Sequence, residues 1–158
     1  MTQNDDFDLR EFLPYLLNQA AEISSQSFQR IYKGRYGMLR TEWRVLFHLA
    51  IYEKMTAKDI CEKAIMHKTK VSRAVQRLEQ RRYLQRKPDE KDRRHEWLTL
   101  TSQGRAVYED LRAHAKQHDQ VLMQKLSAQE IIVLRRALDR KSTRLNSSHL
   151  VISCRLLL

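Results

Sequence analysis

Lys68-Thr69-Lys70-Val71-Ser72-Arg73-Ala74-Val75-Gln76-Arg77-Leu78-Glu79-Gln80 places its apolar residues at Val71, Ala74, Val75 and Leu78. Steps of three and four put them on one side of a helix. Most of the remaining surface is Lys68, Thr69, Lys70, Ser72, Arg73, Gln76 and Arg77, all polar or basic. The stretch reads as a helix that rests on a core by one stripe and turns a cationic, hydrogen-bonding face outward.

The flanking residues give this helix its context. Upstream, Thr56 with Asp59 three residues on forms the carboxylate variant of a capping box, opening a short helix with Ile60 and Ala64 inward. A brief turn, Ile65-Met66-His67, joins the two helices. Downstream, Leu84 and Lys87 belong to one expected strand, and Trp97-Leu98-Thr99-Leu100 alternates with the period of two of another. Between them lies a charged tip, Pro88 to Arg94. Two helices, a tight turn and a β-hairpin make a winged helix-turn-helix.

That arrangement has a specific chemistry. A helix fits the major groove of a DNA duplex, and short or forked side chains on its outer face reach base edges. Arg73 is the expected guanine contact, since its fork matches O6 and N7 together. Lys68, Lys70 and Arg77 are expected to hold phosphates, with Thr69, Ser72 and Gln76 completing the face. At the hairpin tip, Arg94 suits a narrow minor groove, and Asp92 two residues earlier would steady its guanidinium. Two plainer readings stand beside these: a solvated basic helix, and an ordinary exposed salt bridge in a turn.

Further out, apolar residues from Leu9 to Ile31 (Phe12, Leu13, Leu16, Leu17, Ile23 and Phe28 among them) trace a long helix with Pro14 in its first turn. Gly34 and Gly37 bracket an expected loop, and Thr41 is the expected N-cap of a helix with Trp43, Leu46, Leu49 and Ala50 inward. Thr101 or Ser102 caps another long helix, and Ser127 with Glu130 forms a full capping box for the last one. The chain of 158 residues carries 30 Lys and Arg against 19 Asp and Glu, a net charge of +11. Such a surplus fits a polyanionic partner.

Other classes find little support. With 3 Gly there is no phosphate-cradling loop, and no nucleophile elbow or paired-carboxylate arrangement occurs, so an enzyme is not expected. No apolar run reaches the roughly 18 residues of a membrane span, and Met1 to Asp8 does not read as a secretory signal. Two cysteines without ligand spacing, Cys61 and Cys154, fit a reduced cytoplasmic setting. Cys61 beside Ile60 reads as a small buried residue rather than a redox sensor. His114 and His118 have the spacing of zinc ligands on a helix but lack a third ligand nearby, so no metal and no cofactor are expected. The alternative to a regulator is a basic interaction module that binds RNA or an acidic protein.

The order of these features resembles the MarR family of bacterial regulators. The likeness rests on Thr41-Glu42-Trp43-Arg44-Val45-Leu46, on Lys70 through Glu79, on Asp92-Arg93-Arg94, and on Leu98-Thr99-Leu100-Thr101 leading to Gly104. It implies an α+β fold, mostly α, with a helical dimerisation region built from both termini. The expected divisions are 1–36 for an N-terminal dimerisation helix, 37–101 for the DNA-binding domain and 102–138 for C-terminal dimerisation helices. The resemblance further implies a homodimer on a palindromic operator, a minor-groove role for Arg94 supported by Asp92, and repression relieved by a small aromatic or phenolic acid. Tyr15, Phe28, Tyr32, Trp43 and Arg44 are candidates for that effector's pocket, although aromatics at helical spacing are more often core. One departure from the family pattern is Arg82, which stands where glycine usually closes the recognition helix. Arginine in the left-handed cap would be strained by roughly 1 kcal/mol.

The stretch Asp139-Arg-Lys-Ser-Thr-Arg-Leu-Asn-Ser-Ser-His149 breaks the apolar pattern and resembles the conceptual translation of a DNA-sequencing adapter. Residues 139–158 are therefore expected to be a non-native tail, with the last helix interrupted after Leu138. Without that tail, which holds four basic residues and one acidic, the net charge is still +8.

Overall fold

The computed structural model describes residues 7–89, 92 and 95–147. Their elements run α1 (Leu13–Tyr36), α2 (Arg40–Tyr52), β1 (Lys54–Met55), α3 (Ala57–Ala64), α4 (Lys68–Gln80), β2 (Leu84–Pro88), β3 (Glu96–Leu100), α5 (Ser102–Met123) and α6 (Ala128–Ser147). The chain divides into an inner compact unit, Phe28–Gln117, and a terminal unit made of Met1–Ser27 with His118–Leu158. The division falls inside α1 and α5, because Phe28 and Tyr32 from one and Val107 and Leu111 from the other belong to the inner core.

In the inner unit, α2, α3 and α4 pack around Leu46, Leu49, Ile60, Val71, Val75 and Leu78, all buried. The three strands form an antiparallel sheet in the order β1-β3-β2. Leu84 pairs with Leu100, and Lys87 with Trp97, which turns Leu84 and Leu98 into the core. β1 is only two residues long and was not expected; Lys54 pairs with Thr99, and its Nζ lies 4.4 Å from the centre of the Trp97 ring.

Local capping follows the residue types closely. Asp59 N–H donates to Thr56 Oγ1 (3.2 Å), and Thr56 N–H donates back to Asp59 Oδ2 (2.8 Å), as the spacing required. That backbone bond outweighs the opposing effect of burial and holds the Asp59 carboxyl below its ordinary pKa. Thr101 caps α5 through the Gly104 N–H (3.0 Å). Gly104 has no alternative, since a Cβ there would lie 1.8 Å from the Tyr83 carbonyl oxygen.

Three expectations need correction. The cap of α2 is Leu39 and not Thr41: Glu42 accepts from the Leu39 N–H at 3.2 Å, so a carboxylate one turn in replaces a hydroxyl at the end. Gly34 does not open a loop, because α1 continues to Tyr36 and only Gly37 takes a positive φ of 58°. The last helix does not stop after Leu138; α6 runs to Ser147, through residues that include neither Pro nor Gly.

The terminal unit contains the start of α1, the end of α5 and α6. Ser27 Oγ lies 2.6 Å from His118 Nε2, and Arg135 donates to Asp119 at 3.1 Å. Ser127 and Glu130 form the expected box, with Ser127 N–H to Glu130 Oε2 at 2.7 Å. That backbone bond lowers the Glu130 pKa. No described helix is long and apolar enough to cross a membrane.

Candidate nucleic-acid interface

Helix α4 spans the residues its periodicity marks out. Val71, Ala74, Val75 and Leu78 are buried, while Lys68, Thr69, Lys70, Ser72, Arg73, Gln76 and Arg77 are all exposed. Its first turn is capped by a histidine: Thr69 N–H donates to His67 Nδ1 at 3.3 Å. With Nδ1 accepting, the ring proton sits on Nε2. The turn that delivers α4 closes through Ile65 at φ 51°, and Met66 N–H returns to the Cys61 carbonyl at 3.0 Å. A β-branched residue in that conformation carries steric strain.

The other end of α4 closes by a double bond pattern, Arg82 N–H to Glu79 O (2.8 Å) and Tyr83 N–H to Leu78 O (2.9 Å). Arg82 sits at φ 61°, so the left-handed cap persists without glycine. Its carbonyl accepts from Thr101 Oγ1 at 2.6 Å, which ties the cap to the start of α5.

Arg77 is more committed than expected. Its Nη1 donates to Glu42 Oε1 at 3.1 Å, and Glu42 is completely buried. Arg81 Nη1 lies 3.8 Å from the other carboxylate oxygen and donates to the Tyr36 carbonyl, while its Nη2 donates to Gly37 O at 3.0 Å. Neither Glu42 nor Arg81 was singled out from the sequence. The signal was present: Glu42 with Val45, Leu46 and Leu49 follows the i, i+3, i+4, i+7 spacing of a buried stripe.

The hairpin is fastened to α4 by Arg86, which donates to Glu79 at 2.9 Å and to Glu96 at 3.0 Å. Burial works to lower its pKa, and the bonds from Glu96 and Glu79 outweigh it and raise it. At the tip, Asp92 Oδ2 lies 3.0 Å from His95 Nδ1, and Asp92 N–H donates to Asp89 Oδ1 at 3.3 Å. Arg94 lies outside the described residues, and with it the expected pairing to Asp92.

Of the effector candidates, the structure brings three together. Phe28 meets Tyr32 with centroids 5.4 Å apart and Trp43 at 5.3 Å, and the cluster continues through Phe47 to Tyr108. Trp43 Nε1 is buried and has no hydrogen-bond partner among the described residues. Arg44 donates to the Ala64 carbonyl, and burial, then Arg40, lower its pKa. Tyr15 belongs to the terminal unit, where Gln19 donates to its hydroxyl at 2.7 Å. Cys61 is half-buried against the core, and burial raises its thiol pKa. Among the described residues no three His, Cys, Asp or Glu side chains cluster as metal ligands.

A winged helix-turn-helix with an outward basic helix defines a DNA-binding class, and the likeness to known proteins narrows it. The family model described as MarR family matches residues 36–95. SPO1453, a MarR family transcriptional regulator from Silicibacter pomeroyi DSS-3, is 30% identical over 85% of this chain and 98% of its own, with a TM-score of 0.73. The chain belongs to the MarR family of transcriptional regulators. The uncharacterised HTH-type transcriptional regulator YwoH of Bacillus subtilis is 25% identical over 70% of this chain and 80% of its own. BpsR of Bordetella bronchiseptica, whose DNA binding is regulated by 6-hydroxynicotinic acid, shares the fold at TM-score 0.78 and 24% identity, covering 86% of this chain and 96% of its own.

Proposed function

We propose that the chain is a homodimeric, sequence-specific DNA-binding regulator that acts in the cytoplasm as a repressor and is released by a small aromatic acid. The observation that carries this reading is the single outward face of α4, with Arg73, Ser72, Gln76 and Thr69 all exposed above a fully buried apolar stripe. Arg73 reads a guanine; Lys68 and Lys70 grip phosphates with Arg77; Arg94, steadied by Asp92, enters the minor groove. Two copies present two recognition helices to half-sites about 10 base pairs apart.

Dimerisation is supported by the apolar residues that the terminal unit leaves exposed on α1 and α6, Ile23 and Leu134 among them. The effector reading is supported by the Phe28–Tyr32–Trp43 cluster, whose one indole N–H lacks an acceptor among the described residues, which a carboxylate or phenolate oxygen would supply. The regulated DNA binding of BpsR is the precedent.

Mobility shift against the gene's own upstream region tests the proposal. Saturable duplex binding that survives mixed-sequence competitor is expected, and 6-hydroxynicotinic acid or a related hydroxylated aromatic acid should weaken it. Arg73→Ala should relax discrimination at one base pair by about 1–3 kcal/mol. Binding to RNA or to an acidic protein in preference to every duplex would overturn the reading in favour of a basic interaction module.

A further inference from the structure

Glu42 is the one buried charged side chain among the described residues, and its place is unusual for a structural ion pair. Its Oε1 accepts from Arg77 at 3.1 Å, while Oε2 accepts from the Leu39 N–H at 3.2 Å and faces Arg81 at 3.8 Å. The carboxylate is thus fixed by the start of α2 before either arginine is counted. Arg77, by contrast, is half in solvent, its side chain 51% exposed. It stands one turn beyond Arg73 on the outer face of α4. A guanidinium carries five N–H donors in a rigid plane, so binding Glu42 through Nη1 leaves the others oriented but unspent on that carboxylate.

We propose that Glu42 is a positioning residue for DNA binding: by holding Nη1 of Arg77 from inside the fold, it presents the rest of that guanidinium to one backbone phosphate. This rests on the reading of α4 as the duplex-facing helix. A long side chain that waits in solvent must be ordered on binding; one already held by a buried anchor is not. The second arm of the anchor is Arg81, which donates to the carbonyls of Tyr36 and Gly37 and so ties the end of α4 to the turn before α2.

The test is a double-mutant cycle in a fluorescence anisotropy titration with a labelled mixed-sequence DNA duplex, since a phosphate contact needs no particular sequence. Arg77→Ala should weaken binding and reduce the salt slope by about 0.9. Glu42→Leu should weaken binding by about three- to tenfold, even though it raises the net charge by one. Glu42→Gln, whose amide oxygen still accepts from Arg77, should recover part of the loss. In the Arg77→Ala background neither change at Glu42 should weaken binding further. Tighter binding by Glu42→Leu, or an equal loss with and without Arg77, would overturn the proposal. Should Glu42→Leu fail to fold by circular dichroism, Glu42→Gln with and without Arg77→Ala decides in the same way. The underlying reading fails separately: Arg73→Ala and Arg77→Ala would then both leave duplex binding and its salt slope unchanged.

Discussion

Every fully buried apolar side chain among the described residues, from Phe28 to Leu111, lies in the inner unit. In the terminal unit Leu13, Leu16, Ile23, Val133 and Leu134 are instead exposed. The exposed positions of the terminal unit are all helical, whereas the inner core combines helical residues with the strand residues Met55, Leu84 and Leu98. The inner helices are covered by β-strands and other helices, while among the described residues these apolar side chains of the terminal helices are left exposed. At ~25 cal/mol per Å2 of apolar surface removed from water, the first arrangement is stabilised by its own packing, and the second would gain as much from a partner surface. Helical periodicity alone does not distinguish a stripe that fills a core from one that fills an interface.

The largest effect expected from breaking this contrast is at Gly104. A Cβ there would sit 1.8 Å from the Tyr83 carbonyl oxygen and 2.7 Å from its carbon, and both are backbone atoms that a rotamer change cannot move aside. Gly104→Ala should cost about 3 kcal/mol or more and separate β2 from α5. Gly34 is the control, with nothing within 4 Å of its Cβ position inside α1. Gly34→Ala should raise stability by roughly 0.5–1 kcal/mol. Chemical denaturation of both variants checks the pair, and equal effects would refute the packing argument.

A smaller effect, and of another kind, is expected at Leu134. Leu134→Asp places a charge on the exposed stripe of α6, so it should leave the inner unit's cooperative unfolding unchanged. The proposed dimer should loosen by about 2 kcal/mol, roughly thirtyfold in dissociation constant, as read by analytical ultracentrifugation. If Leu134→Asp instead lowers the melting temperature of a chain that is already monomeric, the terminal stripe is core and the comparison between the units collapses.

These contrasts mark what was legible beforehand. α4 and its two faces were readable because an amphipathic helix is a local pattern, and so were the capping boxes at Thr56–Asp59 and Ser127–Glu130, each closed within four residues. The hairpin was readable from Trp97 to Leu100. β1 was not, because two residues carry no period; it exists only because β3 has a free edge for it. The role of Arg77 was half legible: its place on the outer face is local, whereas its tie to Glu42 crosses 35 positions of sequence. The Thr41 hydroxyl drew attention from the carboxylate next to it, which does the capping.

Next in size is the strained cap. Arg82 holds φ 61° where a side chain meets its own backbone, and Ile65 does the same at φ 51° between the two helices of the motif. Arg82→Gly should stabilise the inner unit by about 1 kcal/mol, since glycine adopts that conformation freely. Thermal denaturation reads this directly. Unchanged stability would mean that contacts of the arginine side chain offset the strain.

The smallest effect belongs to Asp110, which closes the inner unit where α1 ends beside α5. Tyr36 Oη donates to its Oδ2 at 2.7 Å, and Arg35 donates to both oxygens at 2.9 Å. The Tyr36 bond first, then that from Arg35, holds the Asp110 pKa below its ordinary 3.8. A folded value below the unfolded one means that the clamp's contribution is full above the ordinary value and is lost as the pH falls through the folded value. Because the pair is partly in water, the contribution is screened and stays below about 1 kcal/mol. Melting temperature followed from neutral pH into the acid range should therefore show Asp110→Asn less stable than the parent near neutrality, with the two curves converging below the carboxylate range. Curves that stay parallel to the acid end would show that the amide variant loses packing rather than charge, and that the clamp is held by shape.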